Sequence, residues 1–207
     1  MLKILGKDIS INVRKVLWTC RELGLPFEQE QWGAGYRATN TPEYLALNPM
    51  GLVPVLIDGD FVLTESNSIC RYLANAYGGE RLLPVNPRER ALVEKWMDWQ
   101  ATELNNAWRY AFMGLIRKHP DYQDAALLQK SIDDWAKLIG LLDTHLAKTG
   151  AYVAGDNFSL ADIVVGLSVH RWLSMPGEQP VFPAVNRYYQ RLSERAGFRE
   201  FGCNGNP

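Results

Sequence analysis

The sequence carries no charge of one dominant sign: 22 Lys and Arg stand against 23 Asp and Glu, a formal net charge of -1. That balance denies the chain the one-signed field that gathers nucleic acid or an anionic membrane surface, and favours a small neutral or zwitterionic ligand. Long apolar runs are missing too. No stretch reaches the roughly 18 residues of a membrane span, and the apolar part of MLKILGKDIS is too short for a signal peptide. A cytoplasmic location with no membrane and no nucleic-acid partner is expected. Cysteine is scarce: Cys20, Cys70 and Cys203 are odd in number, far apart and form no CxxC pair, which argues against a disulfide framework. His119, His145 and His170 show no metal-ligand spacing, so no metal is expected.

What is present is a change of pattern partway along the chain. Leu2 to Leu5 is a short apolar run stopped by Gly6, and Val13, Val16, Leu17, Cys20 and Leu23 then recur at helical spacing before Gly24 and Pro26. Phe27 to Trp32 reads as an edge-like strand. Thr41-Pro42-Glu43 reads as an N-cap with proline at the first helical position, opening a short helix that ends at Asn48-Pro49. Val53 to Ile57 and Phe61 to Leu63 are strand-like and joined by the turn Asp58-Gly59-Asp60, and Ile69, Tyr72, Leu73 and Ala76 give a third helix. The order β-α-β-α-β-β-α predicts a compact α/β domain over 1–78. Gly78-Gly79 through Pro84 and Pro87 is rich in helix breakers and marks a linker over 79–87.

From 88 to 207 the pattern is helical throughout, predicting an all-α second domain. Arg88 to Arg117 is expected as one long, bent helix and about Gln123 to Lys148 as a second. Ser159 and Asp162 predict a capping box, with Phe158 and Ile163 closing over it, at the start of a helix that is apolar on nearly all sides.

Three segments of the first domain hold candidate chemistry. Ser10-Ile11-Asn12-Val13-Arg14 places a hydroxyl and an amide at a helix N-terminus, where unpaired N–H groups favour an anion; Ser10 or Asn12 merely capping the helix is the competing reading. Leu52-Val53-Pro54-Val55 precedes a strand, and a cis Val53-Pro54 bond would offer the Val53 backbone to an extended peptide. Glu65-Ser66 sets a carboxylate beside a hydroxyl at a helix start, able to take the ammonium and the carboxylate of an amino-acid head group, or to serve as a cap and a first-turn charge.

Taken in this order, Ser10-Ile11-Asn12-Val13-Arg14-Lys15-Val16, Asn48-Pro49-Met50-Gly51-Leu52-Val53-Pro54, Glu65-Ser66-Asn67-Ser68-Ile69 and Gly155 to Ile163 make the chain resemble the cytosolic glutathione transferases over nearly its whole length. The resemblance implies a thioredoxin-like first domain with cis-Pro54 and a helical-bundle second domain. It also implies glutathione as co-substrate, held by the Val53 backbone and Glu65-Ser66, and a homodimer. Ser10 falls where the serine-type phi and theta classes carry the thiol-activating hydroxyl, and Asn12 where some bacterial classes carry an asparagine near the sulfur. Tyrosine-type classes are excluded because the first tyrosine is Tyr36, and cysteine-type classes because Cys20 lies deep in the first helix.

Leu52 departs from the family, standing where many relatives have a polar residue for the glycine carboxylate of glutathione; Arg37 is the candidate replacement, against a reading as a solvated loop cation. Trp108, Arg109, Phe112, Met113 and Ile116 are expected on one broad face of the first long helix, walling the pocket for a small electrophile, with most of the stripe serving as core packing and Arg109 the exception. Arg109 there would stabilise negative charge or else form a surface ion pair. The expected activity is transfer of glutathione to such an electrophile, a detoxification reaction. Glutathione-dependent disulfide or peroxide reduction, and a non-catalytic interaction module, are the alternatives.

Overall fold

A four-stranded sheet of order β2-β1-β3-β4 organises the first part of the chain in the computed structural model, which describes residues 1–207. Strand β1 (Leu2–Leu5) runs parallel to β2 (Phe27–Glu30) and antiparallel to β3 (Val55–Asp58), which pairs antiparallel with β4 (Phe61–Thr64). The helix α1 (Ile11–Leu23) connects β1 to β2, α2 (Pro42–Leu47) precedes β3, and α3 (Ser66–Ala76) follows β4 and packs on α1. The local signals act as read. Thr41 caps α2 by accepting from Tyr44 N–H, and Gly24, at φ 67°, closes α1 in the left-handed conformation that costs glycine little. Strand β2 is shorter than Phe27 to Trp32 suggested. Trp32 turns in, with its ring 4.9 Å from that of Tyr44, in a cluster with Leu5 and Val55.

The chain divides into two compact units: Met1–Val85 with Arg195–Asn206, and Asn86–Glu194 with Pro207. The expected helical domain of 88–207 therefore gives up its last segment. Arg195, Phe198 and Gly202 bond or pack onto α1, and that burial outweighs chain order.

The second unit holds α4 (Pro87–Trp99), α5 (Asn105–Ala111), α6 (Ala125–Thr149), α7 (Leu160–Leu173) and α8 (Pro183–Ser193). The long helix expected over 88–117 is present, but π-type turns at Gln100–Leu104 and Phe112–Ile116 break it into shorter runs. Its irregularity has a side-chain accompaniment. Ser131 of α6 accepts from Ala111 N–H at 3.0 Å and donates to Ala107 C=O at 2.5 Å, inserting itself where a helical backbone bond would run, just before the second π turn. Helix α7 is buried along nearly its full length, as its all-round apolar pattern required, and packs on α4 and α8. No helix is long and apolar enough to cross a membrane.

Candidate functional site

The N-termini of α1 and α3 meet. Ser66, the first residue of α3, is buried, and its hydroxyl donates to Asn12 Oδ1 at 3.4 Å. One turn further on, Lys15 Nζ donates to Asn67 Oδ1 at 3.4 Å, tying the same two helices. Two helix starts, each with unpaired N–H groups and the positive end of its dipole, thus flank a single spot.

Ser10 is the N-cap residue of α1, in extended conformation at φ -83° and ψ 123°, yet its side chain makes no cap hydrogen bond. The capping alternative for Ser10 does not hold. Residue N3 is Val13, which has nothing to reach back with, so the hydroxyl and the first-turn amides remain open to a ligand.

Glu65 lies between β4 and α3 at φ 67°, a left-handed conformation rare for a non-glycine residue and costing on the order of 1–3 kcal/mol. Its carboxylate is exposed and in no salt bridge. A strained, unpaired acid beside a helix N-terminus suits an ammonium and a carboxylate arriving together.

Val53 precedes Pro54 through a cis bond, as the resemblance implied. The loop before it is fixed at Leu52, whose carbonyl accepts from Tyr44 Oη at 2.8 Å and Asn48 Nδ2 at 2.7 Å. Burial pushes the Tyr44 phenol up to about 12, so it stays a donor throughout the neutral range. A side chain on Gly6 would come within 3.1 Å of Val53 Cβ and 2.5 Å of Val13, so glycine lets the β1–α1 turn close against the Val53 loop. The Leu52 side chain is 60% exposed and offers no polar group, in keeping with its departure from the family pattern.

Arg37 is already engaged. Its guanidinium sits 4.0 Å above the Trp32 ring and bonds Glu30 Oε2 at 2.7 Å. Glu30 also accepts from Lys3 and from Trp32 Nε1, and the Lys3 bond, followed by that of Trp32, holds its carboxyl below the usual range. Arg37 is therefore neither a merely solvated loop cation nor free of competing partners.

The broad face expected from Trp108 to Ile116 splits in two. Trp108 and Phe112, one turn apart, point inward: their rings are 5.4 Å apart and Trp108 also meets Trp135. Arg109 is exposed and Met113 half-buried on the flank beside them, and Arg109 forms no ion pair, surface or otherwise. The division follows from helix geometry, since neighbours in sequence lie about 100° apart around the axis, and it leaves Arg109 as the exception to the core packing expected of most of the stripe.

Arg171 escaped the sequence reading. It is 2% exposed on α7, with its guanidinium 3.8 Å from the Phe112 ring centroid and 4.4 Å from that of Trp108. The one signal for it was a charge in the last turn of an otherwise apolar helix.

The fold is that of a glutathione-transferase type of protein, and comparison with known proteins agrees. The N-terminal domain of the glutathione S-transferase family matches residues 5–81 and its C-terminal domain residues 105–196. Glutathione S-transferase GstB of Escherichia coli strain K12 is 40% identical over 202 residues, covering 97% of either chain. Glutathione S-transferase 3 of Zea mays is 34% identical, covering 96% of this chain and 92% of that one. The theta class glutathione S-transferase of Xanthomonas axonopodis pv. citri, solved with glutathione bound, superposes with a TM-score of 0.91 at 36% identity, covering 98% of this chain and 97% of that one. The chain belongs to the glutathione S-transferase family.

Proposed function

We propose that this chain binds glutathione and activates its thiol for attack on a small hydrophobic electrophile. The observation that carries the reading is Ser10: an N-cap hydroxyl that caps nothing, at the start of a helix whose first turn also presents Asn12. A free thiol has a pKa of roughly 8.5 and is only a few per cent ionised at neutral pH. One hydroxyl or amide donor plus the helix N-terminus can lower it by about one to two units, or roughly 1.4–2.8 kcal/mol.

In this reading Glu65 takes the γ-glutamyl ammonium and Ser66 with the α3 amides its carboxylate, while the Val53 N–H and C=O pair with the peptide as an added strand would. Arg37 is assigned the glycine carboxylate, for which it has guanidinium donors beyond the one given to Glu30. Arg109 and Met113 are assigned contact with the acceptor, with Trp108 and Phe112 as the packed wall behind them. The thiolate then displaces a leaving group or adds to the electrophile, and binding energy holds the partners in line. A detoxification role, a cytoplasmic setting and a homodimer belong to the same reading, and sedimentation as a 23.5 kDa monomer at micromolar concentration would contradict the dimer.

The test runs an aryl halide, a peroxide and a small disulfide in parallel, each with and without glutathione. Glutathione-dependent turnover of the aryl halide as the fastest reaction is expected. Turnover of the disulfide or peroxide alone would move the activity to reduction, and no turnover of any of them would leave a binding module.

A further inference from the structure

The segment Arg195–Asn206 lies along α1, and the two match turn for turn. Arg14 Nη1 donates to Asn206 C=O at 2.8 Å, Gly202 C=O at 3.1 Å and Asn204 Oδ1 at 3.3 Å. One turn on, the Trp18 ring lies 5.0 Å from that of Phe198. A further turn on, Glu22 accepts two bonds from Arg195, at 3.0 and 2.6 Å. Residues 14, 18 and 22 form one stripe of the helix, and the segment runs along it in the opposite direction. It is a strap with three rungs.

The rung at Arg14 differs from the others because of where it sits. Its side chain is 0% exposed, and its backbone N–H closes the first turn of α1 on the Ser10 carbonyl at 2.9 Å. The residue gripping the strap is thus the one whose peptide group holds Ser10, with Asn12 in the same turn. We propose that Arg14 is a positioning residue for thiol activation: through it the 195–206 strap sets the first turn of α1, and so the aim of Ser10 and Asn12 at the sulfur of glutathione. This rests on the thiol chemistry proposed above and adds that the donors work only while the strap is docked.

Arginine suits the task because all three acceptors gather on its one nitrogen Nη1, whose place and in-plane hydrogens the rigid, buried guanidinium fixes; lysine keeps the charge but not that placement. Arg14→Lys therefore separates geometry from charge. Truncation after Cys203 is the companion variant, keeping Arg14 and its Gly202 acceptor but removing Asn204 and Asn206. The readout is the thiolate absorbance of bound glutathione against pH, with Ser10→Ala as reference. Each variant is expected to raise the bound thiol's pKa by about 0.5–1 unit while KM for glutathione changes by less than about threefold, since aim rather than binding is lost.

A second readout needs no glutathione. Cys203 rides on the strap, its Sγ 3.6 Å from Phe198 C=O, whereas Cys20 and Cys70 are buried. Reaction of Cys203 with dithionitrobenzoate should quicken several-fold in Arg14→Lys, because only a thiol that reaches solvent as thiolate reacts.

If Ser10→Ala shifts the thiol pKa but neither Arg14→Lys nor the truncation does, the strap has no part in activation and the inference is overturned. A KM for glutathione rising as steeply as the pKa would equally overturn it, by making Arg14 a binding residue. If the wild-type protein fails to bind glutathione at all, it is the proposed function that has failed; faster Cys203 reaction in Arg14→Lys would then show the strap's grip on its own.

Discussion

Ser10 and Ser159 hold the same position, the N-cap, in two of the most buried helices of the protein, and they are used in opposite ways. Ser159 gives its N–H to Asp162 Oδ2 at 2.8 Å and its hydroxyl to the same oxygen at 3.1 Å, while Asp162 Oδ1 accepts from Val153 N–H and from the Tyr188 hydroxyl. The Ser159 N–H and hydroxyl and both carboxylate oxygens of Asp162 are thus bonded from within the chain. Ser10 has Val13 where Ser159 has Asp162, and its side chain caps nothing. A serine with an acid at N3 is committed to folding; one without leaves its hydroxyl and the helix amides for something from outside.

Loss of Asp162 should cost the protein most. Asp162→Ala would leave two buried N–H groups and two hydroxyls without their acceptor, and should destabilise the second unit by about 3–5 kcal/mol. Denaturant unfolding of the variant measures this. The thiol pKa of glutathione bound to the folded fraction should not move, and a loss below about 1 kcal/mol would mean that α7 does not depend on its box.

The ligand side comes next in size. Ser10→Ala should raise the pKa of bound glutathione by about one to two units, or roughly 1.4–2.8 kcal/mol, and Asn12→Ala by less. Unlike Ser159→Ala, which removes the hydroxyl's bond to Asp162, worth about 1 kcal/mol, Ser10→Ala should change stability by less than about 0.5 kcal/mol. A thermal midpoint for Ser10→Ala that falls as far as that for Ser159→Ala would make the two serines alike and remove the argument for catalysis. If neither Ser10→Ala nor Asn12→Ala moves the thiol pKa, activation does not come from these two side chains, and the backbone amides at the start of α1 are the donors left in that unit.

Much of this contrast was legible in the sequence because it rests on local spacing. The Ser159 box, the Thr41-Pro42 start of α2, the Gly59 turn and the stop at Gly24 are each written within a few residues. The meeting of Asn12 with Ser66 was legible only in that both lie where a strand or loop gives way to a helix, since 54 residues separate them. What stayed hidden needed long-range burial. The return of Arg195–Asn206 to α1 has no local mark, because Arg14, Trp18 and Glu22 read equally well as parts of an ordinary amphipathic helix. Likewise Arg109 and Trp108 differ in exposure only once the packing of α6 and α7 decides which side of the helix is inward.

The least effect is expected at two carboxylates, the half-buried Glu22 of the first unit and the buried Asp162 of the second, whose ionisation is shifted in opposite senses. Around Glu22, burial raises the pKa, but hydrogen bonds from Arg195 and Trp18 outweigh it and the net shift is downward. Its stabilisation is then present above the ordinary value of 4.5 and lost as pH falls through the lowered one. Around Asp162, burial prevails over the bonds from Val153, Ser159 and Tyr188 and pushes the carboxyl up from 3.8 to about 6. A raised carboxylate pKa works the other way: the folded state binds the proton more tightly, so the gain is complete below 3.8 and lost as pH rises through about 6. Acidifying from pH 7.5 to 5 should therefore increase the cost of Asp162→Asn by about 1.4 kcal/mol, while the cost of Glu22→Gln stays nearly flat and shrinks only below 4.5. Denaturant midpoints of both variants against wild type across that range measure it. A cost of Asp162→Asn that shrinks on acidification would mean that the four donors keep the carboxylate ionised, so that the capping box, like the Glu22 pair, is an electrostatic lock and not a protonated one.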